Sequence, residues 1–326
     1  MERIGWQKQI NKIKTLGTLT MNTPIQSSEP HAYPFKPENT KRGYGAIDIV
    51  VNIYTPEAIA ENRIPTDANF MDKVRLNSAY SNGVTMEQYL EKMDRAGIER
   101  SLLIATRCGD LRVRGSTEIP YEWVAEICAK YPDRFSGLAG LDPTRGIAGL
   151  KELDVAVKTY GFVGAHFYPH WFDEAPDSAV WYPYYARCAE LEIPIMMQVG
   201  HCLVYQKDRR LPNVGRPMTL DRVAMHFPEL NLIGIHLGYP WTDEMISVCW
   251  KHPNVYMAGD AYAPKHWPPA VVHYANSYGQ DKFLFGTDWK VIDPERAMSD
   301  IENLNFREHS LRKILRDNAL KLFKLA

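Results

Sequence analysis

"AIDIVVNIYT", residues 46–55, decides the fold. Ile47, Val50, Val51 and Ile53 make it an almost unbroken apolar run, the mark of a strand covered on both faces in a parallel sheet rather than of a half-solvated antiparallel strand. Two polar residues, Asp48 and Asn52, sit where such a run should carry none. Runs of strand length recur along the chain at "SLLIAT" (101–106), "FSGLAGLD" (135–142), "FVGAHFYP" (162–169), "IPIMMQVG" (193–200), "LNLIGIHLG" (230–238), "NVYMAGDA" (254–261) and "FLFGTDW" (283–289), so that with the first there are eight.

Helical patterns separate them. "TMEQYLEKMDRAG" (85–97) places Met86, Tyr89, Leu90, Met93 and Ala96 at helical spacing and ends on Gly97, which suits a C-terminal cap. Similar patterns occupy 121–132, 149–161 and 182–192. Strand then helix, eight times over, predicts an α/β fold, a (β/α)8 TIM barrel forming a single domain over residues 42–326. An open doubly wound sheet is the competing architecture, but no glycine-rich phosphate turn follows the first strand. "PERAMSDIENL" and "SLRKILRDNALKLFKL" supply the last helix of the barrel and a C-terminal helix. Residues 56–84 are too long for a bare connection and predict a long first loop over the barrel mouth. Residues 1–41, polar and proline-bearing, read as an N-terminal arm in which Met21 is an alternative start.

Composition narrows the function. With 326 residues, 45% apolar, net charge -1 and pI near 6.8, the chain is no electrostatic nucleic-acid binder. No apolar run approaches the ~20 residues of a membrane span, and the basic N-terminus lacks the apolar segment of a secretory signal. The five cysteines form no CxxC pair, which argues against a disulfide framework or zinc knuckle and for a reducing cytoplasm. The expected partner is a small-molecule carbonyl or carboxylate substrate, with no nucleic acid and no membrane; assembly into homo-oligomers is left open.

In such a barrel the working residues stand at the C-terminal ends of the strands. Those ends are polar here: Asn52 on strand one, His166, Tyr168 and His170 on strand four, Gln198 and His201 on strand five, His236 on strand six, Asp260 on strand seven and Asp288 on strand eight. A single histidine there is usually structural, whereas so many converging on one mouth predict a functional pocket. Trp171, Phe172, Trp181, Tyr182, Trp241, Tyr262 and Trp267 cluster in or after strand-end loops, which suits a flat or aromatic ligand, although aromatics also roof barrels for packing. Arg107, Arg112 and Arg114 after strand two, with Lys207, Arg209 and Arg210, put positive charge near the mouth for an anionic substrate, unless these are solvated loops.

The order of "IDIVVN", "GFVGAHFYPHW", "PIMMQVG", "LIGIHLGYPW", "HPNVYMAGDA", "FLFGTDW" and "DNALKLF" resembles the amidohydrolase superfamily, within it the group of aminocarboxymuconate semialdehyde decarboxylase and the resorcylate decarboxylases, over about residues 44–325. The resemblance implies a divalent metal held by two histidines on strand one, a histidine on strand five and an aspartate on strand eight. This chain departs from that pattern. Val50 and Asn52 stand at the strand-one positions and Gln198 at the strand-five position, while Asp288 is kept, as is His236, the position that in the decarboxylases assists catalysis.

Valine offers a metal nothing and neutral amides are poor zinc donors, so the inherited site is expected to be lost and no cofactor is expected. One rival reading gathers Asn52, Gln198 and Asp288 around a harder ion such as magnesium; another moves the metal to His166, His170 and His201. Without metal, His236 is the expected general acid or base with Asp288 orienting it, and His201, His170 and Tyr168 are candidate donors to an oxyanion. His166, Tyr168, His170, Gln198, Asn52, Trp241 and Asp260 are expected to bind substrate. The expected reaction, shared with the relatives and suited to a missing metal, is metal-independent cleavage of a carbon–carbon bond beside a carbonyl, by decarboxylation or retro-Claisen hydrolysis. A ligand-binding pseudoenzyme is the non-catalytic alternative.

Overall fold

The structure is a computed structural model and describes residues 30–65, 67–205 and 209–325. All eight expected strands form: β1 (Ala46–Asn52), β2 (Ile98–Ala105), β3 (Phe135–Gly140), β4 (Gly164–Phe167), β5 (Ile195–Gln198), β6 (Leu232–Ile235), β7 (Val255–Gly259) and β8 (Phe283–Phe285). They pair in parallel and in chain order, each with the next. The seam between β8 and β1 closes just beyond β8, where Val51 bridges Trp289 and the Asn52 N–H donates to the Trp289 carbonyl at 3.1 Å. The result is a nearly closed TIM barrel with helices outside it.

Asp48, the first of the two odd residues in the opening stretch, is the clasp of that seam. Fully buried, it accepts from the Thr287 hydroxyl (2.6 Å), the Thr287 N–H (3.0 Å) and the Val50 N–H (3.2 Å). These bonds tie β1 to the turn after β8 and fix the height at which Asp288 emerges. Burial pushes the Asp48 carboxyl up to about 7 against the pull of the Thr287 bonds.

The barrel lumen is filled by Ile47, Ile49, Leu102, Ile104, Leu138, Met196, Ile233, Ile235, Ala258 and Leu284, and Ala319, Leu322 and Phe323 of the C-terminal segment pack against its lower end. Strand β4 adds no aliphatic residue to this set. In its place His166 pairs in register with Met196 and is fully buried.

The helix at Met86–Ala96 begins in a capping box between Thr85 and Gln88 and ends on Gly97 at φ +69°, the left-handed cap expected of it. The C-terminal helix differs from expectation: a π turn at Lys313–Asp317 separates Glu308–Arg312 from Asn318–Leu322. Residues 56–84 lie over the mouth but are not bare loop, since they contain short helices at Pro56–Ala60 and Ala68–Lys73. Of the N-terminal arm, residues 30–35 dock on the barrel: His31 N–H donates to the Lys130 carbonyl, and the buried Arg134 guanidinium lies over the Tyr33 and Phe35 rings. Met21 and the rest of residues 1–29 lie outside the described residues. No described helix is long and apolar enough to cross a membrane.

Replacing Asp48 with alanine strands the buried Thr287 and Val50 donors. Asp48→Ala is expected to lower the unfolding free energy by about 2–4 kcal/mol, read as a lower urea midpoint at unchanged slope. A midpoint equal to the unmodified protein's would mean that the clasp does not hold the seam.

Candidate active site

A cavity of about 160 Å³ opens at the C-terminal end of the barrel. From the strand ends come Asn52, Thr106, Cys108, Tyr168, Gln198, His201, His236, Tyr262, Asp288 and Lys290; Ile64, Pro65, Asp67, Phe70 and Val74 of the first loop and Cys202–Val204 after β5 complete its wall.

Six of the expected site residues therefore meet at one cavity: Asn52, Tyr168, Gln198, His201, His236 and Asp288. Four are placed elsewhere. His166 is in the lumen below the cavity, where burial pushes its imidazole down to about 3. His170 is carried away by the turn at Pro169–Trp171 and donates its Nε2–H to the Gly200 carbonyl at 3.0 Å. Trp241 stands outside, beneath the Arg216 guanidinium at 4.7 Å from its ring centroid. Asp260 is fully buried behind His236 rather than facing a ligand.

That position gives Asp260 a different role from the substrate binder expected. Its carboxylate accepts from the His236 backbone N–H at 2.7 Å and from His236 Nδ1–H at 2.6 Å. The partner that orients the imidazole is thus Asp260 on the neighbouring strand, and not Asp288. Because a carboxylate only accepts, Nδ1 carries the proton and Nε2 is left as the working nitrogen. Burial opposes the imidazolium, yet the charge and hydrogen bond of Asp260, joined by the charge of Asp288, outweigh it and raise His236 above its ordinary value.

Asp288 belongs to a second chain of contacts. Tyr168 Oη–H donates to Asn52 Oδ1 at 3.1 Å, and Asn52 Nδ2–H donates to Asp288 Oδ1 at 2.8 Å. Burial pushes the Asp288 carboxyl up to about 7, against the pull of His236. His201 Nε2 and the Tyr262 hydroxyl lie 3.2 Å apart on the opposite wall.

The backbone here is strained where the chemistry gathers. His236 (φ 64°), Ala261 (φ 60°) and Asp288 (φ 51°), all in the cavity wall, are left-handed non-glycine residues. Each such residue costs on the order of 1–3 kcal/mol and persists where the surroundings over-determine it, as active sites do.

Sequence reasoning missed Thr106 and Lys290. Both sit at strand ends where the same positional rule could have found them: Thr106 directly follows β2, and Lys290 lies two residues beyond Asp288. The Thr106 hydroxyl is buried without a protein partner. The arginine-rich loops, by contrast, do not supply the cavity. Arg107 pairs with Glu118 and Glu152, Arg112 with Asp110, and Arg209 donates to Ser116 Oγ and the Trp171 carbonyl. Neither Arg114 nor Arg210 lines the cavity, and Lys207 lies outside the described residues. Of the seven aromatics, Trp171 and Tyr262 reach the cavity, whereas Trp181 and Trp267 are core.

Comparison with known proteins agrees with this architecture. A family model described as Amidohydrolase matches residues 77–325. A gamma-resorcylate decarboxylase of Polaromonas sp. is 26% identical over 290 residues, covering 72% of this chain and 85% of that one. Among solved structures, an uncharacterized TIM-barrel protein of Bordetella bronchiseptica superposes with a TM-score of 0.70 at 22% identity, covering 86% of this chain and 99% of the other. A dihydroxybenzoic acid decarboxylase of Polaromonas sp., with bound manganese and the inhibitor 2-nitroresorcinol, superposes with a TM-score of 0.64 at 20% identity, covering 86% and 97%.

The residues present do not fit such a metal. Val50 is fully buried in the lumen and has no donor atom. The Asn52 amide oxygen is occupied by Tyr168 and its NH2 points at Asp288, an arrangement that satisfies the carboxylate with a hydrogen bond and opposes a cation between the two. His166, His170 and His201 do not converge either: among the described residues no three His, Cys, Asp or Glu side chains are placed to hold an ion together. The relocated reading thus finds no converging ligands among the described residues, and the hard-ion reading would have to break the Asn52–Asp288 hydrogen bond.

Asp260→Asn leaves His236 equally buried but removes the charge that favours imidazolium. The His236 pKa, raised in the unmodified protein by the charge and hydrogen bond of Asp260, is expected to fall in Asp260→Asn. Titration of ring-labelled histidine by NMR reads this directly; an unmoved value would detach Asp260 from His236.

Proposed function

The chain belongs to the amidohydrolase family, and from that premise we propose that it is a carbon–carbon lyase acting on a small aromatic acid without a metal, with His236 carrying the proton. The observation that carries this reading is His236, backed by Asp260 and set in the cavity wall beside a Tyr168–Asn52–Asp288 chain whose Asn52 and Asp288 stand at positions where the family resemblance implies metal ligands. Relatives named for decarboxylation of dihydroxybenzoates support the reaction class.

Size and lining support the substrate class. An apolar cavity of about 150 Å³ takes one benzene ring, and Tyr54, Phe70, Tyr168, Trp171 and Tyr262 give this one of about 160 Å³ flat apolar faces.

Decarboxylation of a ring acid with a neighbouring phenolate needs one proton delivered to the carbon that carries the carboxylate. The imidazolium of His236, held in place through Nδ1 by Asp260, gives that proton from Nε2. The ring carbon becomes tetrahedral, the phenolate becomes a carbonyl, and the carbon–carbon bond then breaks. Its electron pair restores the aromatic ring and the phenolate, carbon dioxide leaves, and neutral His236 takes a new proton from water. Asp288 and Gln198 position the substrate oxygens. The raised pKa of His236 keeps the donor form populated closer to neutrality than a free imidazole would be.

A panel of ortho-hydroxybenzoates, assayed for carbon dioxide and for the phenol, tests the activity. Turnover is expected to survive chelator treatment, and His236→Asn is expected to lower it about 10²- to 10⁴-fold with the fold intact. Release of a ring-opened or chain-cleaved carboxylate in place of carbon dioxide would favour retro-Claisen hydrolysis. Binding without turnover would indicate a pseudoenzyme, and activity restored only by added manganese would sink the metal-independent reading.

A further inference from the structure

A site that returns an electron pair to a substrate oxygen works best with a positive charge near that oxygen. Lys290 is the one lysine or arginine among the described residues lining the cavity. Its Nζ lies 3.5 Å from the centroid of the Tyr54 ring, and Tyr54 lines the same cavity. No ion pair within 4.0 Å joins Lys290 to a carboxylate among the described residues, and Asp288 acts on it only through space. The ammonium therefore keeps its donors for a ligand.

Its position is set firmly. Trp289, the preceding residue, is 2% exposed, packs against Tyr80 and Tyr89, and accepts the Asn52 N–H across the barrel seam. Lys290 thus leaves the wall from a fixed point, with the Tyr54 face supporting the cation.

We infer that Lys290 is the electron-sink cation of this site: its ammonium holds the phenolate oxygen beside the leaving carboxylate, doing with a side chain the electrostatic work for which the family's relatives carry a metal. This rests on the lyase reading above. The choice of phenolate over carboxylate follows from where charge goes. The carboxylate loses its charge as carbon dioxide departs, so a cation on it would favour the bound substrate over the transition state. The phenolate regains its charge at that step. A cation there also favours the ionised form that makes the ring carbon basic enough to accept a proton from His236. An ammonium, a compact point charge with three rotatable donors, suits a single oxygen better than a planar guanidinium would.

The test reads binding apart from activity. 2-Nitroresorcinol, at a pH where it is ionised, and its neutral dimethyl ether are titrated by calorimetry into the unmodified protein and into Lys290→Met, with Lys290→Gln as a second uncharged variant and Lys290→Arg as the charge-keeping one. The unmodified protein is expected to prefer the phenolate by about 10- to 100-fold, the range of a charge-assisted hydrogen bond. Met and Gln should erase that preference with the ether affinity unchanged, and Arg should restore part of it. Equal affinity for the two probes in the unmodified protein, or a preference that survives in Lys290→Met or Lys290→Gln, overturns the inference. If no aromatic acid is turned over yet the preference depends on Lys290, the lyase reading fails and takes the electron-sink role with it, leaving Lys290 as a phenolate-binding cation only. If decarboxylation occurs with the same kcat in Lys290→Met, the lyase reading stands and this one fails.

Discussion

The seam between the first and eighth strands governs the rest of the molecule. A barrel closes only where the last strand meets the first at a matching height, and here three contacts set that height: Asp48 with Thr287, Val51 with Trp289, and the Asn52 N–H with the Trp289 carbonyl. A charged residue inside the opening strand looks costly, yet its oxygens receive three donors at the closure point. Everything that follows Thr287 inherits its position. Asp288 emerges opposite Asn52, Trp289 is locked into the core, and Lys290 is delivered to the cavity wall. The seam and the site share one short piece of chain, so a change that loosens closure also displaces the chemistry.

The cavity separates its polar groups into two systems. Asp260 is spent on His236, holding both its backbone and its ring Nδ1, so that Nε2 is the nitrogen left clear of it. Asn52, Tyr168 and Asp288 form a neutral-leaning chain in which each acceptor has a donor. In the family pattern the positions of Asn52 and Asp288, with those of Val50 and Gln198, would hold a metal. The substitution to valine and amides does more than delete ligands, because the amide NH2 of Asn52 now satisfies the carboxylate that a metal would need. The family's scaffold is kept, while the cavity wall carries His236, backed by Asp260, and Lys290.

Periodicity and strand-end polarity in the sequence determined the barrel, its eight strands, the capped helix at Met86–Ala96 and the convergence of Asn52, Tyr168, Gln198, His201, His236 and Asp288. These are local properties: an apolar run of strand length, a turn residue at a fixed offset, and a rule that barrel chemistry gathers at the C-terminal ends. The departure from the family's metal pattern was equally legible, since ligand chemistry is a property of residue type.

Only the tertiary structure decided which carboxylate serves His236, because Asp260 and Asp288 are both strand-end acids and choosing between them requires the register of three strands. It also decided that His166 fills the lumen and that His170, which the proline in the sequence already sets in a loop, turns to the Gly200 carbonyl. The placement of the basic residues was decided in the same way. Arginine-rich loops advertise charge in sequence, but Arg107 and Arg112 are neutralised by carboxylates and Arg209 is held away by Ser116 and Trp171, while Lys290 reaches the cavity only once the closed barrel sets it beside Tyr54. Residue type and period are written along the chain; pairing between residues hundreds of positions apart depends on how the strands close.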